Sequence, residues 1–205
     1  MFPQICHALK SFQRTIKNSN IYISDEALMQ QIAMKNAQSF ELLYERYSTR
    51  MFRYFYRMLW QDEALANDFT QDLFLKIIEK PHLFNPQKVF STWIFSVANN
   101  MCKNAYRSKK TIENIDNQSF IYQENFDEKI DFDLHSAQLQ AAINELSDEH
   151  RECFVLRYFE ELTVKEIADI TQSAEGTVKS RLHYGLRKVS KILTSPKSSP
   201  KERTF

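Results

Sequence analysis

Only two glycines, Gly176 and Gly185, occur among 205 residues. A fold built from many tight turns needs left-handed backbone positions that glycine fills at little steric cost, so a turn-rich β-sandwich is disfavoured from the start. The five prolines lie near the termini or within the short stretch PHLFNP. What remains is long unbroken sequence whose apolar residues return at three- and four-residue steps. The chain is therefore predicted to be all-α, with short connections between helices.

Residues up to about Ile23 carry no sustained periodicity and are expected to form a loosely held extension (1–23). Ser24 is placed to cap a helix that starts at Asp25, with Leu28 and Ile32 on one side. In the next helix the stripe runs Phe40, Leu43, Tyr44, Tyr47, Met51, Tyr54, Phe55 and Met58. Gln61 and Asp62 interrupt it, and a third helix reaches about Lys80. PHLFNPQKV is a loop, and a fourth helix spans roughly Ser91 to Ser108. These helices make one unit, 24–110. Residues 111–133 are acidic and polar without a helical stripe, and read as a flexible acidic linker. Periodicity returns at Leu134, with Leu139, Ile143 and Leu146 in line, and Ser147 is placed to cap the following helix. A second unit covers 134–193, and the polar remainder (194–205) reads as a tail. The expected architecture is two small helical domains on a tether.

Net charge is only +1, yet the charge is unevenly placed. Leu83 to Lys110 holds five Lys/Arg and no acids; Thr111 to Asp133 holds seven acids and one lysine; Thr177 to Lys191 again holds five Lys/Arg and no acids. Two basic blocks around an acidic one are the footprint of a polyanion-binding chain. Cys6, Cys102 and Cys153 are far apart and form no C-x-x-C pair, so neither a disulfide framework nor a zinc site is expected, and a reducing cytoplasm is the default. No apolar run approaches the ~20 residues of a membrane span, and no signal peptide is read at the N-terminus. His7, His82, His135, His150 and His183 lack metal-ligand spacing, and no G-x-S-x-G, P-loop or paired-carboxylate constellation is present. The expectation is no metal, no cofactor and no catalysis.

The segment LTVKEIADITQSAEGTVKSRLHYGLRKV reads as helix, turn, helix. Thr163 and Glu166 form a T-x-x-E capping box, Thr171 to Ser173 make the turn, and Ser173 is placed to cap the second helix. At 100° per residue Val178, Leu182, Gly185, Leu186 and Val189 fall on one side of that helix. Thr177, Ser180, Arg181, Tyr184, Lys188 and Lys191 fall on the other. Hydroxyl, guanidinium and ammonium groups on an exposed face suit the major groove, and Gly176 near the start lets backbone approach a phosphate closely.

The third helix places Leu65, Phe69, Leu73, Phe74, Ile77 and Ile78 on one broad side. Asp68, Gln71, Asp72, Leu75, Lys76 and Glu79 lie opposite. A mostly acidic stripe with a leucine in it fits a protein partner better than DNA, whose phosphates it would repel. On the fourth helix Phe90, Ile94, Val97, Ala98, Met101 and Ala105 form the expected buried side. Thr92, Ser96, Asn99, Asn100, Lys103 and Arg107 line the outer side, with Trp93 at the boundary. Amides and cations beside aromatics make a platform for single-stranded bases, where stacking contributes on the order of 1–3 kcal/mol per base. Taken singly, Trp93 and Phe95 read more readily as core residues.

Together DFTQDLFLKI, FSTWIFSVANNMCKNAYRSKK and ELTVKEIADI…GTVKSRL resemble regions 2.2, 2.3–2.4 and 4 of bacterial RNA polymerase sigma factors of the extracytoplasmic-function (ECF) type. The similarity covers roughly Asp25 to Leu193. It implies that Asp68, Gln71, Asp72 and Leu75, with Lys76 beside them, dock on the clamp helices of the largest polymerase subunit. It implies that the loop Leu83–Val89, with Asn85 and Lys88, and the fourth helix, with Trp93, Ser96, Asn99, Asn100, Lys103 and Arg107, hold the −10 element and its unpaired bases. The second domain would read the −35 element with Gly176, Thr177, Lys179, Ser180, Arg181, Tyr184 and Lys188 while meeting the polymerase flap. The acidic linker would thread polymerase channels, and an anti-sigma protein is a possible further partner. Such proteins often carry an R-A-R run after S-R-L; here Tyr184, Gly185 and Leu186 follow His183, which implies a differently tuned −35 grip. The competing reading is a stand-alone helix-turn-helix regulator binding duplex DNA as a dimer, which leaves the acidic stripe and the aromatic platform without a use.

Overall fold

The computed structural model describes residues 23–115 and 134–194, with side chains for 23–109 and 138–194. Eight α-helices and one 3-10 turn are present among these residues: α1 (Asp25–Ala33), α2 (Ala37–Met58), α3 (Glu63–Glu79), the 3-10 turn Pro81–Leu83, α4 (Phe90–Ile115), α5 (Leu134–Asn144), α6 (Asp148–Tyr158), α7 (Val164–Thr171) and α8 (Glu175–Thr194). The expected extension, most of the linker and the tail lie outside the described residues. α4 runs past the expected Ser108 to Ile115, because loss of an apolar stripe ends the burial signal before it ends the helix.

The starts of α1, α2 and α3 follow side-chain capping, whereas Ser147 stands at the N-cap of α6 without the expected side-chain cap bond, its hydroxyl instead lying 2.6 Å from His150 Nδ1. Ser24, Asn36 and Asp62 each accept a hydrogen bond from a backbone N–H three residues on, at 3.2, 3.2 and 2.9 Å, which satisfies an otherwise orphaned donor. α4 is capped from a distance: Glu26 on α1 accepts from the Phe90 N–H at 2.9 Å. That bond holds the Glu26 carboxyl below its ordinary pKa. The cap is thus in place at neutral pH and is lost as pH falls through the lowered value. Neither glycine serves a turn. Instead Lys35, Trp60, Gln61, Glu161 and Gln172 take the left-handed conformation between helices.

α1 to α4 enclose an aromatic core. Tyr47, Phe84 and Trp93 all meet Phe90 with ring centroids 5.1–5.7 Å apart, Tyr54 meets Phe95 at 5.2 Å, and Tyr106 donates to the Met58 carbonyl at 2.5 Å. In the second unit Ile143, Leu146, Phe154, Leu156, Ile167, Val178, Leu182 and Val189 are buried. Gly185 is buried inside α8 facing α6, where a Cβ would stand in ordinary contact, 3.6 Å from Phe154 and 3.8 Å from the His150 carbonyl.

The two units pack together. Arg50 on α2 donates to the Glu160 carboxylate at 2.7 Å and to its carbonyl at 3.0 Å. The Arg57 guanidinium stands 4.2 Å from the centre of the Phe159 ring, and α4 lies against α7.

Candidate functional site

The residues expected to make contacts fall on three surfaces. On α3, Asp68, Gln71, Asp72, Leu75 and Lys76 are all exposed, because Ala66, Leu73, Phe74 and Ile77 turn the opposite side into the core. Ile78, expected in the core, is 48% exposed beside Leu75 at 52%. It lies at the margin of the buried side. Tyr44 is exposed too and packs on Phe74 at 4.7 Å. The face is acidic around an apolar centre of Leu75 and Ile78.

The second surface joins the loop after α3 to α4. Asn85 and Lys88 are exposed, and Asn85 accepts from the Gln87 N–H at 2.9 Å, shaping the loop. Trp93 is half-buried and propped by Phe84 at 5.2 Å. Ser96 is half-buried and donates to the Thr92 carbonyl at 2.8 Å, so its hydroxyl proton is already engaged. Asn100 and Arg107 are exposed. Phe95 is fully buried beneath Arg50. Asn99 corrects the sequence reading: it has no exposed surface. It accepts from the Tyr54 hydroxyl at 3.3 Å and donates to Glu152 of α6. The cause is burial of α4 on two sides, by its own domain and by the second one.

Lys103 is likewise engaged. Its ammonium lies 3.1 Å from a Glu152 carboxylate oxygen and 3.4 Å from the Thr171 carbonyl. Glu152 is 3% exposed. Burial raises its pKa, against the opposing pull of Lys103 and the Asn99 amide. Burial also pushes the Cys153 thiol up to about 11 and the Cys102 thiol up, which removes the thiolate that reactivity or metal ligation needs.

The third surface is α8. The capping box forms, with Thr163 Oγ1 accepting from the Glu166 N–H at 3.3 Å and the Glu166 carboxylate accepting from the Thr163 N–H at 2.8 Å. Ser173 does not cap α8, which starts two residues later; its hydroxyl accepts from Arg181 at 3.0 Å. Gly176, Thr177, Lys179, Ser180, Tyr184 and Lys188 are exposed. The Ser180 hydroxyl donates to the Gly176 carbonyl at 3.1 Å, and Lys188 donates to the Glu145 carbonyl. Arg181 is half-buried, and its charge is felt by both Glu152 and Cys153. Leu186, expected in the core, is 48% exposed, since Gly185 occupies the contact with α6. No feature of the sequence marked Glu152, because its role depends on helices 53 residues apart coming together.

No helix among the described residues is long and apolar enough to cross a membrane. Residues 43–112 match the description Sigma-70 region 2, and residues 136–189 match Sigma-70, region 4. The chain is 30% identical over 158 residues to the ECF RNA polymerase sigma factor SigL of Mycobacterium tuberculosis, covering 76% of this chain and 89% of that protein. It is 29% identical over 175 residues to the RNA polymerase sigma factor YlaC of Bacillus subtilis, covering 83% and 99%. In fold it is similar to the sigma factor RpoE solved with the anti-sigma factor NepR from Bartonella quintana, with TM-score 0.68, 20% identity, and 77% and 98% of the two chains covered. Two regions in the right order, across most of relatives of similar length, place this chain among the ECF-type sigma factors of bacterial RNA polymerase, the proteins that direct transcription initiation.

Proposed function

We propose a division of the sigma-factor task among the three surfaces. The α3 face (Asp68, Gln71, Asp72, Leu75, Lys76) docks on the clamp helices of core polymerase, and the second domain meets the flap. Asn85, Lys88, Trp93, Ser96, Asn100, Lys103 and Arg107, with Asn99 once uncovered, hold the −10 element and its unpaired bases. Gly176, Thr177, Lys179, Ser180, Arg181, Tyr184 and Lys188 read the −35 duplex. The chain catalyses nothing itself and changes where another enzyme starts, in the cytoplasm where polymerase works. An anti-sigma protein is part of the proposal as a sequestering partner.

The observation that carries this reading is the separation of chemistries: an acidic, leucine-centred face on α3 and an acid-free face along α8 beyond Glu175. Phosphates are repelled by the first and attracted by the second. Lys179→Ala is expected to weaken −35 duplex binding by the polymerase holoenzyme and to lower its log–log salt slope by about 1, as loss of one phosphate contact should. Association with core polymerase should be unchanged. A variant that loses core polymerase and duplex equally would remove α8 from its assigned role.

A further inference from the structure

The extension expected to be loosely held, outside the described residues, carries a pattern of its own. Before Ile23 the chain has Lys10, Arg14 and Lys17 and no acid. Its apolar residues are few, but Phe2, Ile5, Leu9, Phe12 and Ile16 return at alternating three- and four-residue steps. At 100° per residue these five fall within about 80° of arc, and the three cations share one flank of that stripe. Pro3 stands where a first helical turn accepts it. An isolated helix so short is marginal in water and needs a surface on which to bury its stripe.

A surface of matching chemistry is uncovered on α2 and α3. Tyr44, Leu75 and Ile78 are exposed. Tyr44 packs on Phe74 at 4.7 Å, and Ile78 follows Phe74 by one helical turn, so the three line a strip along the junction of the two helices. Glu41 and Glu45 border the strip on α2, and Asp68, Asp72 and Glu79 border it on α3, all exposed. The attachment is close by. Arg46, two residues beyond Tyr44, donates to the Ile23 carbonyl at 2.9 Å. Asn18 to Tyr22, polar or uncharged, spans up to about 17 Å when extended, enough to pass over α2 to the strip.

We infer that residues 1–17 form a basic amphipathic helix that lies on the Tyr44–Leu75–Ile78 strip of the free chain, its apolar stripe on the strip and its cations among the bordering carboxylates. The consequence for transcription rests on the assignment of α3 as the polymerase face: the chain's own N-terminal segment competes with polymerase for that face. Tethering makes such a contact effective even where it is weak. A short tether gives an effective concentration on the order of 1 mM. An intrinsic affinity of about 100 μM then leaves only about a tenth of the chain open, and weakens polymerase binding about tenfold.

The test uses the full chain with a nitroxide on Cys6, which takes the label selectively because Cys102 and Cys153 are buried. Amide NMR should show broadening at Tyr44, Leu75 and Ile78 and none along α8. Leu9→Asp combined with Phe12→Asp puts charge into the stripe and alters no described residue. It should abolish the broadening and tighten core polymerase binding by about tenfold. Lys10→Glu combined with Arg14→Glu should also abolish the broadening, and adding Glu41→Arg and Glu45→Arg should restore it, which a misfolded variant would not do. A wild-type strip that is not broadened, or broadening that survives Leu9→Asp with Phe12→Asp, would overturn the docked helix. So would capture of residues 1–17 by phosphatidylglycerol vesicles with the strip left unbroadened, which would assign the segment to an anionic membrane surface. Broadening that behaves as described while polymerase affinity stays unchanged would keep the helix on its strip and remove polymerase from α3, so the two assignments fail separately.

Discussion

Asp72→Lys is expected to lower affinity for core polymerase by at least about 100-fold, roughly 3 kcal/mol, while leaving the fold unchanged. Asp72 is exposed in the middle of α3, between Asp68 and the Leu75–Ile78 pair. Exposed substitutions of this kind shift stability by no more than about 0.5 kcal/mol, and lysine is a better helix former than aspartate. The loss therefore reports on the docking face. On the proposed docking face, a charge reversal turns attraction for a partner's cations into repulsion and alters the rim around the apolar centre. Pull-down of core polymerase alongside circular dichroism checks both halves of the prediction. Full binding by a folded variant would move the docking face elsewhere on the molecule.

Phe90→Ala is expected to cost about 3–5 kcal/mol, a large share of the roughly 5–15 kcal/mol that holds a domain folded. Phe90 is fully buried and meets Tyr47, Phe84 and Trp93, so its removal opens a cavity that rigid neighbouring rings fill poorly. It is also the first residue of α4, whose N–H is held by Glu26. The consequence reaches function: Trp93 loses a support, and the loop carrying Asn85 and Lys88 loses its far anchor. Thermal unfolding should show the loss directly. A melting temperature within a few degrees of wild type would mean that the aromatic cluster does not hold this domain together.

Much of this was legible in sequence because helices write their faces at a fixed period. The stripe from Leu43 to Met58, the interruption at Gln61 and Asp62, the Thr163–Glu166 capping box and the exposed row on α3 all follow from local spacing. The misses have a shared cause. Asn99 belongs by angle to the outer side of α4, but it is buried between Tyr54 of its own domain and Glu152 of α6, a juxtaposition that no local period announces. Leu186 and Ile78 are apolar residues at the margins of a stripe, where burial depends on the neighbour's size rather than on angle. Ser173 has the right chemistry for a cap but stands two residues before α8, and its hydroxyl serves Arg181 instead. Glu152 was invisible because a carboxylate on a helix reads as solvated until a lysine from another domain is placed against it.

One domain of this chain is proposed to hold polymerase and unpaired DNA while the other recognises intact duplex upstream. The most direct measurement is run-off transcription by reconstituted core polymerase on a library of promoter fragments, with and without the chain. New start sites that appear only with the chain, and share one upstream and one start-proximal element at fixed spacing, are the result this account predicts. The same start sites at the same rates, with or without the chain, would contradict it.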